Sequence, residues 1–155
     1  MVKLYQTYIL PHLDYAIAVW NPSARKDKDI LESVQRRFSR MVSGMKGLSY
    51  EERLTLLELP TLEERRRRID LIQAYRIWYE VDQIDHPMFK PTSSSHGIST
   101  RQCSKSNVLA KNCRLNLRRN FFSQRVISDW NSLPASVQQA PSLGAFKSRV
   151  KRYLS

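Results

Sequence analysis

Apolar positions recur at helical spacing along most of the chain. Between Lys26 and Gly44 the residues Ile30, Leu31, Val34, Phe38, Met41 and Val42 fall at i, i+3, i+4 intervals, which predicts one amphipathic helix with this stripe inward. Arg36 and Arg40 project from the other side, and Gly44 and Gly47 supply the stop. Upstream, Lys3 to Trp20 is rich in aromatic and aliphatic residues around Pro11. Two helical pieces, kinked or broken at Leu10–Pro11, are expected there, ending at Asn21–Pro22–Ser23.

Two capping boxes follow. Ser49-x-x-Glu52 predicts a short helix over 50–58, interrupted by Leu59–Pro60. Thr61-x-x-Glu64 predicts a long helix over 62–81, with Leu62, Ile69, Ile72 and Tyr79 on one face. Residues 86–107 contain Pro87, Pro91, Ser93–Ser95 and Gly97, which reads as a linker or loose loop. Val108–Ala110 and Cys113–Leu117 alternate weakly and suggest a small β-hairpin. Helical spacing resumes over 119–133 through Phe122, Val126, Trp130 and Leu133, and Pro134 ends it. Ser142 suits the cap of a last helix reaching Tyr153, with Leu143, Phe146, Val150 and Leu154 inward. The fold class is mainly α. The expected parts are a helical domain over 1–85, a basic linker over 86–112 and a small basic helical module over 113–155.

Size and composition agree with that outline. With 155 residues, 41% hydrophobic content and only four glycines, the chain suits a small helical domain with an appendage. No apolar run approaches the roughly 20 residues that span a bilayer, so no membrane partner is expected. Lys3, Gln6, Pro11 and His12 break any signal-peptide layout, and the chain has two cysteines. An intracellular, reducing location, nuclear or cytoplasmic, is the expectation.

Charge changes the picture most. Residues 86–155 carry twelve Lys and Arg against the single acid Asp129, whereas the first 85 residues carry fourteen bases and thirteen acids. Most of the net charge of +12 therefore lies in one half. A one-signed segment calls for a polyanion, most commonly nucleic acid held through its phosphates. No acid occurs from His86 to Ser128, so Lys111, Arg114, Arg118, Arg119 and Arg125 lack local acidic partners and are the leading contact candidates. Arg36 and Arg40 join them as nucleic-acid-binding candidates. Phe121, Phe122 and Trp130 are expected to face the core. The run Arg65–Arg68 is read as a solvated face, because Glu63 and Glu64 stand four residues before Arg67 and Arg68.

Candidate chemistry is sparse. Two-metal polymerase or nuclease chemistry needs clustered carboxylates. Asp27 and Asp29 diverge at i, i+2, and the pairs Glu51–Glu52 and Glu63–Glu64 sit in first helical turns, where they serve caps and dipoles. His86, His96, Cys103 and Cys113 lack the short ligand spacings of structural zinc sites. No metal, cofactor or catalytic residue is assigned.

The order of the motifs carries a resemblance. Leu4-Tyr-Gln-Thr-Tyr-Ile-Leu-Pro-His-Leu-Asp-Tyr15 with Val19-Trp-Asn-Pro22, Leu31-Glu-Ser-Val-Gln-Arg-Arg-Phe38, Leu48-Ser-Tyr-Glu-Glu-Arg-Leu54 and Leu62-Glu-Glu-Arg-Arg66 precede Asp70-Leu71 and Tyr75-Arg-Ile77. Cys113-Arg-Leu-Asn-Leu-Arg-Arg-Asn-Phe-Phe-Ser-Gln-Arg-Val126, Trp130-Asn-Ser-Leu-Pro134, Ala140-Pro-Ser-Leu143 and Phe146-Lys147 follow. Over almost the whole chain this order resembles the region after the palm in non-LTR, LINE-type retrotransposon reverse transcriptases of the Jockey-like and chicken-repeat-like group. The resemblance implies a thumb-like helical bundle, a basic linker and a helical C-terminal module. In the family that region holds RNA template and primer duplex while the palm polymerises. It implies RNA, DNA or their hybrid as partner, together with the missing palm and fingers, whose aromatic-Ala-Asp-Asp metal site the chain lacks. Gln138–Gln139 stands where the family usually has aliphatics, which is expected to loosen packing before Pro141. The alternatives are a retained element-derived module that docks protein, an enzyme in its own right, which the lack of a carboxylate cluster disfavours, and a relic without a selected role.

Overall fold

The computed structural model describes residues 1–82, 84, 88–91, 107–110 and 112–154. It is mainly helical, and no strand occurs among the described residues. Two compact units divide the chain, Met1–Ile69 and Asp70–Ser155. The boundary therefore falls inside the long helix, not near residue 85.

The first unit opens with α1 (Val2–Leu4), a π-helical turn (Tyr5–Ile9) and α2 (Leu10–Asp14). The expected break at Leu10–Pro11 is absorbed by the π turn, in which the Leu10 N–H reaches the Tyr5 carbonyl. Pro11, which has no N–H to give, then enters within the first two positions of α2. Ala16 adopts a left-handed conformation (φ 51°) before α3 (Ile17–Trp20). The Arg25–Met41 helix, α4, follows, and Gly44 and Gly47 reverse the chain at φ +83° and +85°.

Ser49 opens α5 (Tyr50–Leu56) with the predicted capping box: its Oγ accepts from the Glu52 N–H at 3.2 Å, and Glu52 Oε2 accepts from the Ser49 N–H at 2.7 Å. The helix closes in a Schellman motif. The Leu59 N–H bonds Leu54 O at 3.0 Å and the Glu58 N–H bonds Thr55 O at 3.2 Å, with Glu58 at φ 52°. Thr61 and Glu64 form the second capping box, both bonds at 3.2 Å, at the head of α6 (Leu62–Trp78).

Tyr5, Leu10, Phe38, Leu54, Leu59 and Leu62 form the core of this unit. The Tyr5 ring stacks on Phe38 at 4.0 Å. The predicted stripe of α4 is rotated. Phe38 is buried, but Ile30, Val34 and Met41 are exposed, and Glu32, Gln35 and Ser39 are buried instead. These polar groups are inside because tyrosine, arginine and backbone groups satisfy them. The Tyr5 hydroxyl donates to Gln35 Oε1 at 3.0 Å, and Gln35 Nε2 donates to Pro60 O at 2.9 Å and to the Tyr50 hydroxyl at 3.3 Å. Tyr50 donates to Glu32, whose carboxylate accepts the Leu62 N–H at 3.1 Å and so caps the α6 N-terminus. Buried Arg53 donates to Ser39 Oγ at 3.1 Å and to Leu48 O at 2.5 Å.

In the second unit the remainder of α6 is followed by α7 (Asn116–Arg119), α8 (Phe122–Ser132), α9 (Ala135–Gln138) and α10 (Leu143–Leu154). The α6 face differs from the expected one: Asp70, Leu71, Ala74 and Tyr75 are buried, whereas Tyr79 is 40% exposed. A second Schellman motif ends α6, with the Val81 N–H on Arg76 O at 2.8 Å and Glu80 at φ 54°. The C-terminal stripes are inward as spaced: Phe122, Val126, Trp130, Leu133, Phe146 and Val150 are all buried. Tyr75 stacks on Phe146 at 4.3 Å, and its hydroxyl donates to Ala140 O at 2.7 Å. Ser142 Oγ accepts from the Ala145 N–H at the start of α10.

The expected hairpin is absent. Val108 makes an isolated antiparallel bridge to Pro91, and residues 116–119 are helical. The Asn131 side chain takes a strand's place, accepting from the Val108 N–H and donating to the Val108 carbonyl, both at 2.9 Å. Gln138 corrects another expectation. It is 1% exposed and donates to Trp130 O at 2.7 Å, so it holds the segment before Pro141.

Candidate nucleic-acid interface

Arg114, Arg118 and Arg119 lie in and just before α7, and all three are exposed. Among the described residues, no carboxylate forms an ion pair with any of them. The α7–α8 turn is tightly tied. The Phe121 N–H donates to Arg118 O at 3.3 Å, and Phe121 O receives the N–H groups of Gln124 and Arg125 at 2.8 and 3.0 Å. The cations of α7 therefore stand on a braced turn.

Arg125 plays a different part from the one its sequence neighbourhood suggests. Its Nε and Nη2 donate to the two carboxylate oxygens of Asp70, each at 2.9 Å, and its Nη1 donates to Asn120 O at 3.0 Å. Its guanidinium also lies 5.7 Å from the centroid of buried Phe122. The acid that engages it is 55 residues away in the chain, outside the acid-free window. Arg125 braces the turn and is already occupied by a carboxylate. Lys111 lies outside the described residues, as do His86, His96 and Cys103. Cys113 donates its thiol to Gln124 Oε1 at 3.6 Å. Among the described residues, no group of three or more His, Cys, Asp or Glu is arranged to hold a metal.

Arg36 and Arg40 are exposed on α4 of the first unit, with the Arg36 guanidinium 5.1 Å from the Tyr50 ring centroid. The Arg65–Arg68 run is not a solvated face. Arg65 forms a paired contact with Asp14 at 2.6–2.9 Å, Arg66 is 4% exposed, and Arg68 is partly buried, leaving Arg67 exposed. Burial, followed by the Arg65 charge, lowers the Arg68 pKa. Glu63 is engaged by Lys28 at 2.7 Å, and that hydrogen bond holds its carboxyl below the usual range despite partial burial.

Two features beside α7 escape sequence reasoning. Phe121 is 47% exposed, with the Arg118 guanidinium 5.3 Å from its ring centroid. An open groove of about 590 Å³ is lined by Asn112, Cys113, Arg119, Gln124, Ser128 and Ser132, among others. Its wall offers amide, hydroxyl, thiol and guanidinium groups, a set that can bond base edges and phosphates. The expectation that Phe121 faces the core with Phe122 and Trp130 is thereby corrected: it adjoins Phe122, and only one of two successive aromatics can follow the buried stripe.

Among the described residues, no helix is long and apolar enough to cross a membrane. No family model, curated protein or solved structure matches the chain.

Proposed function

We propose that the chain is a nucleic-acid-binding module without polymerase chemistry of its own, corresponding to the post-palm region of the LINE-type reverse transcriptases its motifs resemble. The observation that carries this reading is the set of exposed arginines at α7, Arg114, Arg118 and Arg119, in a segment without acids from 86 to 128. Guanidinium groups on a fixed turn suit phosphate oxygens. The module then grips the backbone of RNA, DNA or their hybrid inside the cell, alongside the palm and fingers of the polymerase, which supply catalysis. Arg125 serves it as a positioning residue.

The test is the salt dependence of binding. Affinity should be broad in sequence and fall steeply with salt. Replacing Arg118 and Arg119 together by alanine should lower the log–log slope by about 1.4–1.8, at roughly 0.7–0.9 per lost phosphate contact. An unchanged slope overturns the assignment.

A second reading, docking of a protein partner, is favoured by the first unit. Ile30, Val34 and Met41 share one exposed side of α4. Nucleic-acid binding that is absent, or insensitive to salt, leaves this reading standing.

A further inference from the structure

Phe121 is left 47% exposed at the N-cap of α8. Phe122, its neighbour, already supplies the buried aromatic at the start of α8. We propose that Phe121 is a stacking platform for an unpaired base, and that the second unit therefore selects single-stranded over double-stranded nucleic acid. The inference rests on the nucleic-acid reading above and names its substrate class.

Three observations support it. First, the ring is presented from a fixed backbone. Phe121 occupies the N-cap of α8 in an extended conformation (φ −62°, ψ 144°), and its N–H and carbonyl are both bonded within the turn. The Asp70–Arg125–Asn120 chain of hydrogen bonds holds the residue before it. Little ordering is then left for binding to impose, which favours affinity. Second, Arg118 places a cation 5.3 Å from the ring centroid. A base stacked on this pair gains an aromatic contact and leaves its phosphate within the field of Arg118 and Arg119. Third, the groove lined by Arg119 and Gln124 borders residues on either side of Phe121 in the chain, and its Asn112, Gln124, Ser128 and Ser132 side chains suit the edges of splayed bases. In a duplex the base faces are covered by their neighbours, so the ring has nothing to stack on. A single strand exposes a face at every nucleotide.

The experiment measures fluorescence anisotropy of the full chain with a labelled oligothymidylate of about 15 nucleotides and with a duplex of the same length. The single strand should bind more tightly. Phe121→Ala should weaken single-strand binding by about 5–160-fold, leave duplex binding unchanged and leave the single-strand salt slope unchanged. Phe121→Tyr should retain affinity, whereas Phe121→Leu, which keeps apolar bulk but has no π face, should behave like alanine. Should Phe121→Ala melt early, the Tyr and Leu variants decide the question between them. Equal losses on both ligands, no loss on the single strand, or full affinity in Phe121→Leu overturns the platform while the phosphate reading survives. A wild-type chain that binds neither ligand overturns both.

Discussion

Asp70 meets Arg125 side on, each carboxylate oxygen taking one N–H of the guanidinium at 2.9 Å. The Asp70 side chain is 7% exposed and that of Arg125 18%. Removing one partner strands the other charge in a poorly solvated place. Asp70→Ala is predicted to cost about 3 kcal/mol, the low end for breaking a buried pair because Arg125 keeps some water. Urea denaturation reads this directly. Asp70→Leu combined with Arg125→Met should recover much of the loss, since no charge is then left buried.

Phe38→Ala should destabilise the first unit by about 3–5 kcal/mol, because the ring is 5% exposed and stacked on Tyr5. Val34→Ser and Met41→Ser, on the exposed side of α4, should fall within about 0.5 kcal/mol of wild type. Thermal melts distinguish this face from the one that hydropathy alone would bury.

Glu58 holds a left-handed conformation at φ 52° to close the Schellman motif after α5. A side chain there carries a steric cost that glycine avoids. Glu58→Gly is predicted to raise stability by up to about 1 kcal/mol, seen as a later denaturation midpoint. An earlier midpoint would show that the carboxylate contributes more than the backbone loses.

Alkaline pH should weaken the first unit. Burial raises the phenol pKa of Tyr5, with the Glu32 charge adding to it, and burial followed by the Glu32 hydrogen bond raises that of Tyr50. A raised folded pKa means that the unfolded chain releases its proton first. The contribution is complete below the unfolded value near pH 10 and is lost as pH rises toward the folded one. Each tyrosine can steepen the decline by at most about 1.4 kcal/mol per pH unit. Denaturation midpoints on both sides of pH 10 test this, and Tyr5→Phe should flatten the curve.

Asn131→Ala removes both bonds to the Val108 backbone. Val108 is 4% exposed, so its N–H loses a partner that water does not readily replace. A loss of about 1–3 kcal/mol is expected, together with faster hydrogen exchange at the Val108 amide.

Helix positions were legible where local chemistry specifies them. Ser49 and Thr61 start helices because their side chains and those of Glu52 and Glu64 bond reciprocally over three residues. The Phe122–Trp130 and Phe146–Val150 stripes are inward because apolar spacing alone decided them. Failure came where burial depends on distant partners. Gln35 and Glu32 look solvent-facing until Tyr5, Tyr50 and the α6 N-terminus are brought to them. The same holds at the candidate interface, since Arg125 appears to be a free cation until Asp70 arrives from 55 residues away. Alternation over a few residues near Val108 suggests a hairpin, but its partners are the Asn131 side chain and an isolated bridge to Pro91.

The π turn before Pro11 bears on how much length the first helix needs. Tyr5 and Leu10 are both buried in one core although they stand five positions apart. In an ordinary α-helix that separation would turn them about 140° apart. Deleting one residue from 6–9 would make them i, i+4 neighbours, about 40° apart, and keep both on the core side. The same deletion in the middle of α4 would swing everything beyond it by about 100° and carry Phe38 away from Tyr5. The opening helix thus has one residue of slack. Using it would set Pro11 inside a regular helix at up to about 3 kcal/mol, a cost the π turn now avoids and a melt of the shortened chain would measure.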